Sequence, residues 1–301
     1  MKSRAIYLCF SDFHAIQACA LSENRPGICF YSPGVCKAYI GREFRGKLWP
    51  MPESSTPFKL IHFLYFILFL LRQNQRKCDL FTGNKNTYIS QIMANKYPNH
   101  MLFLLDDGLS TYGLACEQPS KWNVCKFPAK KVVSLLLNLI NRTYYHETRI
   151  SDLDRQGCRI LLLPELYEAS DPCPSMGLGE YFSEIGSLSD VAPDRTDSVF
   201  VASYRQSLDA QANKNIFSHG FSEIIYHPRI VKSSLNIPTD IYIMSFSKIT
   251  MGMSSVLLYL ILRKYCGDIT IIGGEREIQL MEFISKRVAL TFKYQIQKDP
   301  A

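Results

Sequence analysis

Short apolar runs recur along the chain and alternate with longer stretches of helical periodicity. Residues 5–10 (AIYLCF) and 27–31 (GICFY) read as buried strands, with a helix over 13–22 between them. A long apolar helix is predicted over 60–71, and two further strands over 78–82 and 101–105. A second set follows, with strands at 159–163 (RILLL), 198–202 (SVFVA), 224–226, 241–244 and 269–272. Helices are predicted over 254–265 and 277–291, and the Gly-, Pro-, Ser- and Asp-rich stretch 167–196 reads as an irregular loop. Strands alternating with helices imply parallel crossovers, hence an α/β fold with two Rossmann-like lobes. The halves join near residues 145–158, so the expected division is 1–150 and 151–301. Ligands of such sheets bind beyond the carboxyl ends of the strands.

Composition narrows the setting. At 301 residues, 47% hydrophobic and 20% charged, this is a folded globular chain. The ten cysteines include no CxxC pair, which argues against a zinc knuckle and for free thiols in a reducing, cytoplasmic compartment. The N-terminus MKSRAIYLCF lacks the apolar core of a secretory leader. The segment 58–71, FKLIHFLYFILFLL, is almost wholly apolar, but as a helix it would reach only about 21 Å, short of a bilayer core of about 30 Å. A buried helix is expected, with the basic flank RQNQRK able to touch an anionic inner membrane as a peripheral contact. The net charge of +7 includes GREFRGK (41–47) and Lys130, Lys131, Arg142 and Arg149, a face suited to acidic partners. No nucleic-acid motif accompanies it.

Three short motifs carry candidate chemistry. The strand at 101–105 runs into Asp106, Asp107 and Gly108, where two like charges sit side by side. Asp-Gly is also ordinary turn chemistry. IIYHPR puts His227 and Pro228 just past a strand, where an imidazole can bind a phosphate or give up a proton near neutral pH; a structural hydrogen bond would serve a loop histidine equally. In MGMSSVLLYLILRKY, Gly252, Ser254 and Ser255 open an apolar helix, a setting for an anion. Plain N-capping explains one of the serines.

Acid-acid-Gly, His-Pro and Ser-Ser, in that order, resemble the motifs of bacterial sialyltransferases of the GT-B type, the glycosyltransferases that include the polysialyl- and lipooligosaccharide enzymes. The likeness covers residues 5–266 or so. It implies inverting transfer of sialic acid from CMP-sialic acid to a glycan hydroxyl, with no metal and no cofactor. Asp106 would be the general base, supported by Asp107 and Gly108 on the acceptor side. His227 would protonate the departing CMP phosphate, which Pro228, Gly252, Ser254 and Ser255 would help bind. Asp240, in LNIPTDIYIMS, stands near where relatives carry a glutamate for the cytosine amino group, one methylene longer. A donor such as CMP-Kdo shares the 2-keto acid centre and remains an alternative, as does a non-catalytic capsule-assembly protein keeping the fold. A metal-dependent GT-A enzyme would want a DxD motif, which DDG does not supply. The acceptor, the linkage, mono- versus polysialylation and the oligomeric state are not legible.

Overall fold

A computed structural model describes residues 4–51, 78–83, 102–112, 157–167, 175–177, 195–202, 221–226 and 235–297. The first strand, Arg4–Cys9 (β1), leads into helix Asp12–Asn24 (α1), strand Gly27–Tyr31 (β2), helix Lys37–Glu43 (α2) and strand Gly46–Pro50 (β3). Cys78–Thr82 (β4), Leu102–Leu104 (β5), Gly157–Leu161 (β6) and Ser175–Gly177 (β7) complete a sheet of order β3-β2-β1-β4-β5-β6-β7. Every pairing in it is parallel. The second sheet has Arg195–Val201 (β8), Glu223–Ile225 (β9), Phe246–Gly252 (β10), Asp268–Ile272 (β11) and Lys293–Gln297 (β12), in the order β12-β11-β10-β8-β9, again all parallel. Its described helices are Thr239–Tyr242 (α3), Val256–Leu262 (α4) and Glu275–Arg287 (α5). The α/β class with two Rossmann-like lobes is therefore as the alternation predicts.

Burial on both faces explains the unbroken apolar strands. Ala5 to Cys9 are all buried, and Tyr7, Phe81 and Phe103 stack across β1, β4 and β5 with centroids 4.7 and 4.6 Å apart. Helix α1 starts where Ser11 accepts from the His14 amide at 3.3 Å, and it is buried from Asp12 to Ser22. A helix buried all round must satisfy its polar side chains within the protein. That requirement builds the site described below.

Several boundaries differ from expectation. Strands β6 and β7 pair in the first sheet, so that sheet continues past residue 150 and the two sheets part between Gly177 and Arg195. The stretch 241–244 is not a strand: it lies in α3 and the 3-10 turn Ile243–Ser245, because Pro238 sets the chain for a helical turn. The strand of that region is β10. The closing helix ends at Arg287, and the chain returns as the exposed edge strand β12. The apolar segment 58–71 and the loop 178–194 lie outside the described residues, among which no helix is long and apolar enough to cross a membrane.

The two cores interlock. Ile241 and Tyr259 pack with the first lobe's cluster, and Leu109, Tyr112, Leu161 and Leu163 with the second's. Cys9, Cys19, Cys29, Cys36 and Cys266 are free thiols.

Candidate active site

Both sheets reverse their strand order at one point, and crevices for ligands open there beyond the strand ends. In the first sheet the reversal lies between β1 and β4; in the second it lies between β8 and β10. Residues 10–14 and Gly83 follow the first pair, with the DDG loop one strand further along after β5. Ser254 and Ser255 follow β10. The motif positions thus converge by topology before any side chain is considered.

Asp106 is wholly buried. Its Oδ1 accepts the Gly108 amide at 2.8 Å, and its Oδ2 accepts the Leu162 amide at 3.2 Å and the Tyr112 hydroxyl. Burial pushes its carboxyl up to about 6, against the pull of those donors. The peptide around it is held as firmly: Gln17 Nε2 donates to the Asp106 carbonyl at 2.8 Å, and Gln17 Oε1 accepts the Asp106 amide at 2.9 Å. The carboxylate expected to serve as base is turned inward and engaged at both oxygens.

Asp107 faces the other way. Its side chain is 41% exposed, and Oδ1 lies 2.9 Å from Nε2 of His14, whose own side chain is 2% exposed. His14 Nδ1 accepts the Phe10 amide at 3.3 Å, so the proton sits on Nε2 and is donated to Asp107. The Asp107 amide donates to Thr111 Oγ1 at 2.7 Å. Gly83 makes room for the imidazole, since a Cβ there would lie 2.1 Å from Nε2. Of the two aspartates, Asp107 is the one whose side chain reaches solvent.

Gly108 has a φ of 73°, and a Cβ on it would lie 1.9 Å from Ser255 Oγ. The first and third motifs therefore touch, across the lobes, through a glycine with no side chain. Ser255 is the residue before α4, yet its hydroxyl makes no capping bond to the helix. Ser254 Oγ is buried with no hydrogen-bond partner, an arrangement that costs about 1–3 kcal/mol unless a ligand supplies one. Simple capping does not account for either hydroxyl. A Cβ on Gly252 would meet nothing within 4 Å, so the structure gives no steric reason for glycine there.

Asp240 lies in the first turn of α3. It is buried at the lobe junction beside Asp12, and burial first, then the Asp12 charge, pushes it up to about 7. Asp12 accepts the Cys36 amide at 2.6 Å and the Thr239 amide of the opposite lobe, and burial lifts it to about 6. Asp12 thus links α1 to the start of α3. His227 and Pro228 lie outside the described residues, beyond the end of β9. Among the described residues no group of three or more His, Cys, Asp or Glu side chains could hold a metal ion.

The sequence reading overlooked His14, Gln17, Gly83 and Tyr112. A usable signal was present: His14 and Gln17 are polar residues three apart inside an otherwise apolar helix, and such residues need buried partners.

This geometry belongs to a two-lobed, all-parallel α/β protein in which the DDG loop and the serine pair meet between the lobes. No protein-family model and no curated protein matches the chain. Among solved structures it is similar to Arabidopsis thaliana UGT89C1 complexed with UDP, at 10% identity and a TM-score of 0.42 over 99% of this chain and 86% of that one. It is also similar to Acinetobacter baumannii MurG, at 7% identity and a TM-score of 0.43 over 97% of this chain and 86% of that one. Likeness at this level carries no argument about activity.

Proposed function

We propose that the chain is a GT-B-type glycosyltransferase that moves sialic acid from CMP-sialic acid to a glycan hydroxyl with inversion, using Asp107 as general base. The observation that carries this reading is the meeting of the DDG loop with the serine pair at Gly108 and Ser255, beside a half-exposed carboxylate. The choice of donor rests on the ordered DDG, HP and SS motifs.

In the reaction, the acceptor hydroxyl attacks C2 of the sialyl group. The new O–C2 bond forms as the C2–O bond to the CMP phosphate breaks. Asp107 takes the hydroxyl proton, and His227 delivers a proton to the leaving phosphate. Ser254 donates its otherwise orphaned hydroxyl to that phosphate. Helix α4 has only seven residues, so hydroxyls rather than a helix dipole are the source of binding. Asp106 holds the loop that aims Asp107. The partners are thus a nucleotide-sugar donor and a glycan acceptor. No metal ion and no cofactor takes part, and the enzyme works in the cytoplasm.

The test is transfer from CMP-sialic acid to a panel of labelled acceptors, with CMP-Kdo in parallel. Asp107→Asn should lower transfer by about 10²- to 10⁴-fold. Turnover of CMP-Kdo alone would reassign the donor; no turnover of either would leave a binding protein with this fold.

A further inference from the structure

Helix α1 sends two buried polar side chains, His14 and Gln17, to the loop that follows β5. Gln17 grips the backbone of Asp106 with both ends of its amide. His14 does something different: it reaches a side chain of the loop that is 41% exposed. We propose that His14 is a positioning residue, whose Nε2–H holds the Asp107 carboxylate in the orientation that receives the acceptor's proton. This rests on the reading of Asp107 as the base.

Three features support that role over a merely structural one. The ring is orientation-locked, because the Phe10 amide occupies Nδ1 and leaves Nε2 as the donor toward Asp107. It is also seated against a glycine: Gly83 directly follows β4, the strand between β1 and β5, and any side chain there would strike Nε2. Finally, the bond reaches a side chain that stays 41% exposed, where a substrate can approach it. An imidazole that is itself 2% exposed, with both nitrogens engaged, cannot take a proton from a substrate. Its effect on the reaction must pass through Asp107.

Donor type, not ring size, is then what matters. His14→Gln keeps an N–H donor near the Nε2 position, whereas His14→Leu keeps bulk without one. We expect His14→Leu to lower kcat by about ten- to a hundredfold, the rate equivalent of one charge-assisted hydrogen bond. The KM for donor and acceptor should stay within about twofold of wild type, the sign of an interaction that counts in the transition state. His14→Gln should recover most of the lost kcat. Gly83→Ala, which displaces the ring without removing it, should reproduce the loss.

A readout free of turnover accompanies the kinetics: ¹⁵N-labelled histidine spectra should show His14 as the Nε2–H tautomer, and Asp107→Ala should shift its Nε2–H resonance. Equal kcat in His14→Leu and wild type would overturn the proposal and leave the general-base reading intact, as would a loss that His14→Gln fails to recover. A histidine protonated on Nδ1 would also overturn it. A wild-type chain that transfers no sugar would overturn the functional reading and the kinetic role together, leaving only the hydrogen bond itself.

Discussion

Placing a methyl group at Gly108 measures whether the two lobes meet in solution as they do in the structure. Gly108→Ala incurs two separable costs. The first is local: φ is 73°, and an L-residue there pays about 1–2 kcal/mol. The second is a cross-lobe clash, because the new Cβ would lie 1.9 Å from Ser255 Oγ and 2.4 Å from Ser255 Cβ. Overpacking of this kind costs a further 1–3 kcal/mol or so. The single variant should therefore lose about 2–5 kcal/mol. Ser255→Gly removes both clashing atoms, so in that background Gly108→Ala should lose only the local 1–2 kcal/mol. Urea unfolding of the four proteins closes a double-mutant cycle, and the expected coupling is about 1–3 kcal/mol. Additive losses with unchanged m-values would refute the reasoning, since they would mean that the DDG loop and the serine pair do not touch.

The remaining expectations concern charge and proton transfer. Asp12, Asp106 and Asp240 are raised from 3.8 to about 6, 6 and 7 by burial, so the folded state holds their protons more tightly than the unfolded chain. The stability this gives is complete below about pH 4 and is lost as pH rises through 6 to 7. Asp240→Asn should accordingly stabilise the protein at pH 8, by at most about 4 kcal/mol, and leave it unchanged at pH 4; thermal melts across that range that show equal gains at both ends would contradict it. Asp106→Ala leaves the Tyr112 O–H and the Leu162 and Gly108 amides without their acceptor, so its chief signature should be a fall of about 3 kcal/mol or more in unfolding free energy. Asp107→Asn should melt within about 1 kcal/mol of wild type while losing transfer, because its side chain is partly exposed. Transfer should survive a chelating agent undiminished; abolition would call for a metal in the mechanism.

Which parts of this were readable from residues alone follows from how local each feature is. β1 and β2 are near-continuous apolar runs, the mark of a strand covered on both faces, and they stand where the pattern puts them. Edge strands β3 (GKLWP) and β12 (KYQIQ) are mostly exposed and carry no such signal. β10 (FSKITMG) mixes Ser247 and Lys248 with buried Ile249 and Met251, so the more apolar neighbour DIYIM drew the strand assignment instead. β6 is plainly a strand in RILLL, but nothing within those residues says which sheet it joins. The site divides the same way. DDG and the serine pair are legible as strand-end motifs, whereas the choice between Asp106 and Asp107 depends on which carboxylate the fold turns inward. That in turn depends on Tyr112, on the Leu162 amide and on His14, which come from three different elements.

The most direct test of the central claim is a crystal structure with cytidine monophosphate bound. The nucleotide's phosphate should sit within hydrogen-bonding distance of Ser254 Oγ, with the exposed Asp107 side chain facing the space beside it. A nucleotide bound away from the serine pair, or a cleft in which Asp107 is covered and Asp106 exposed, would contradict it.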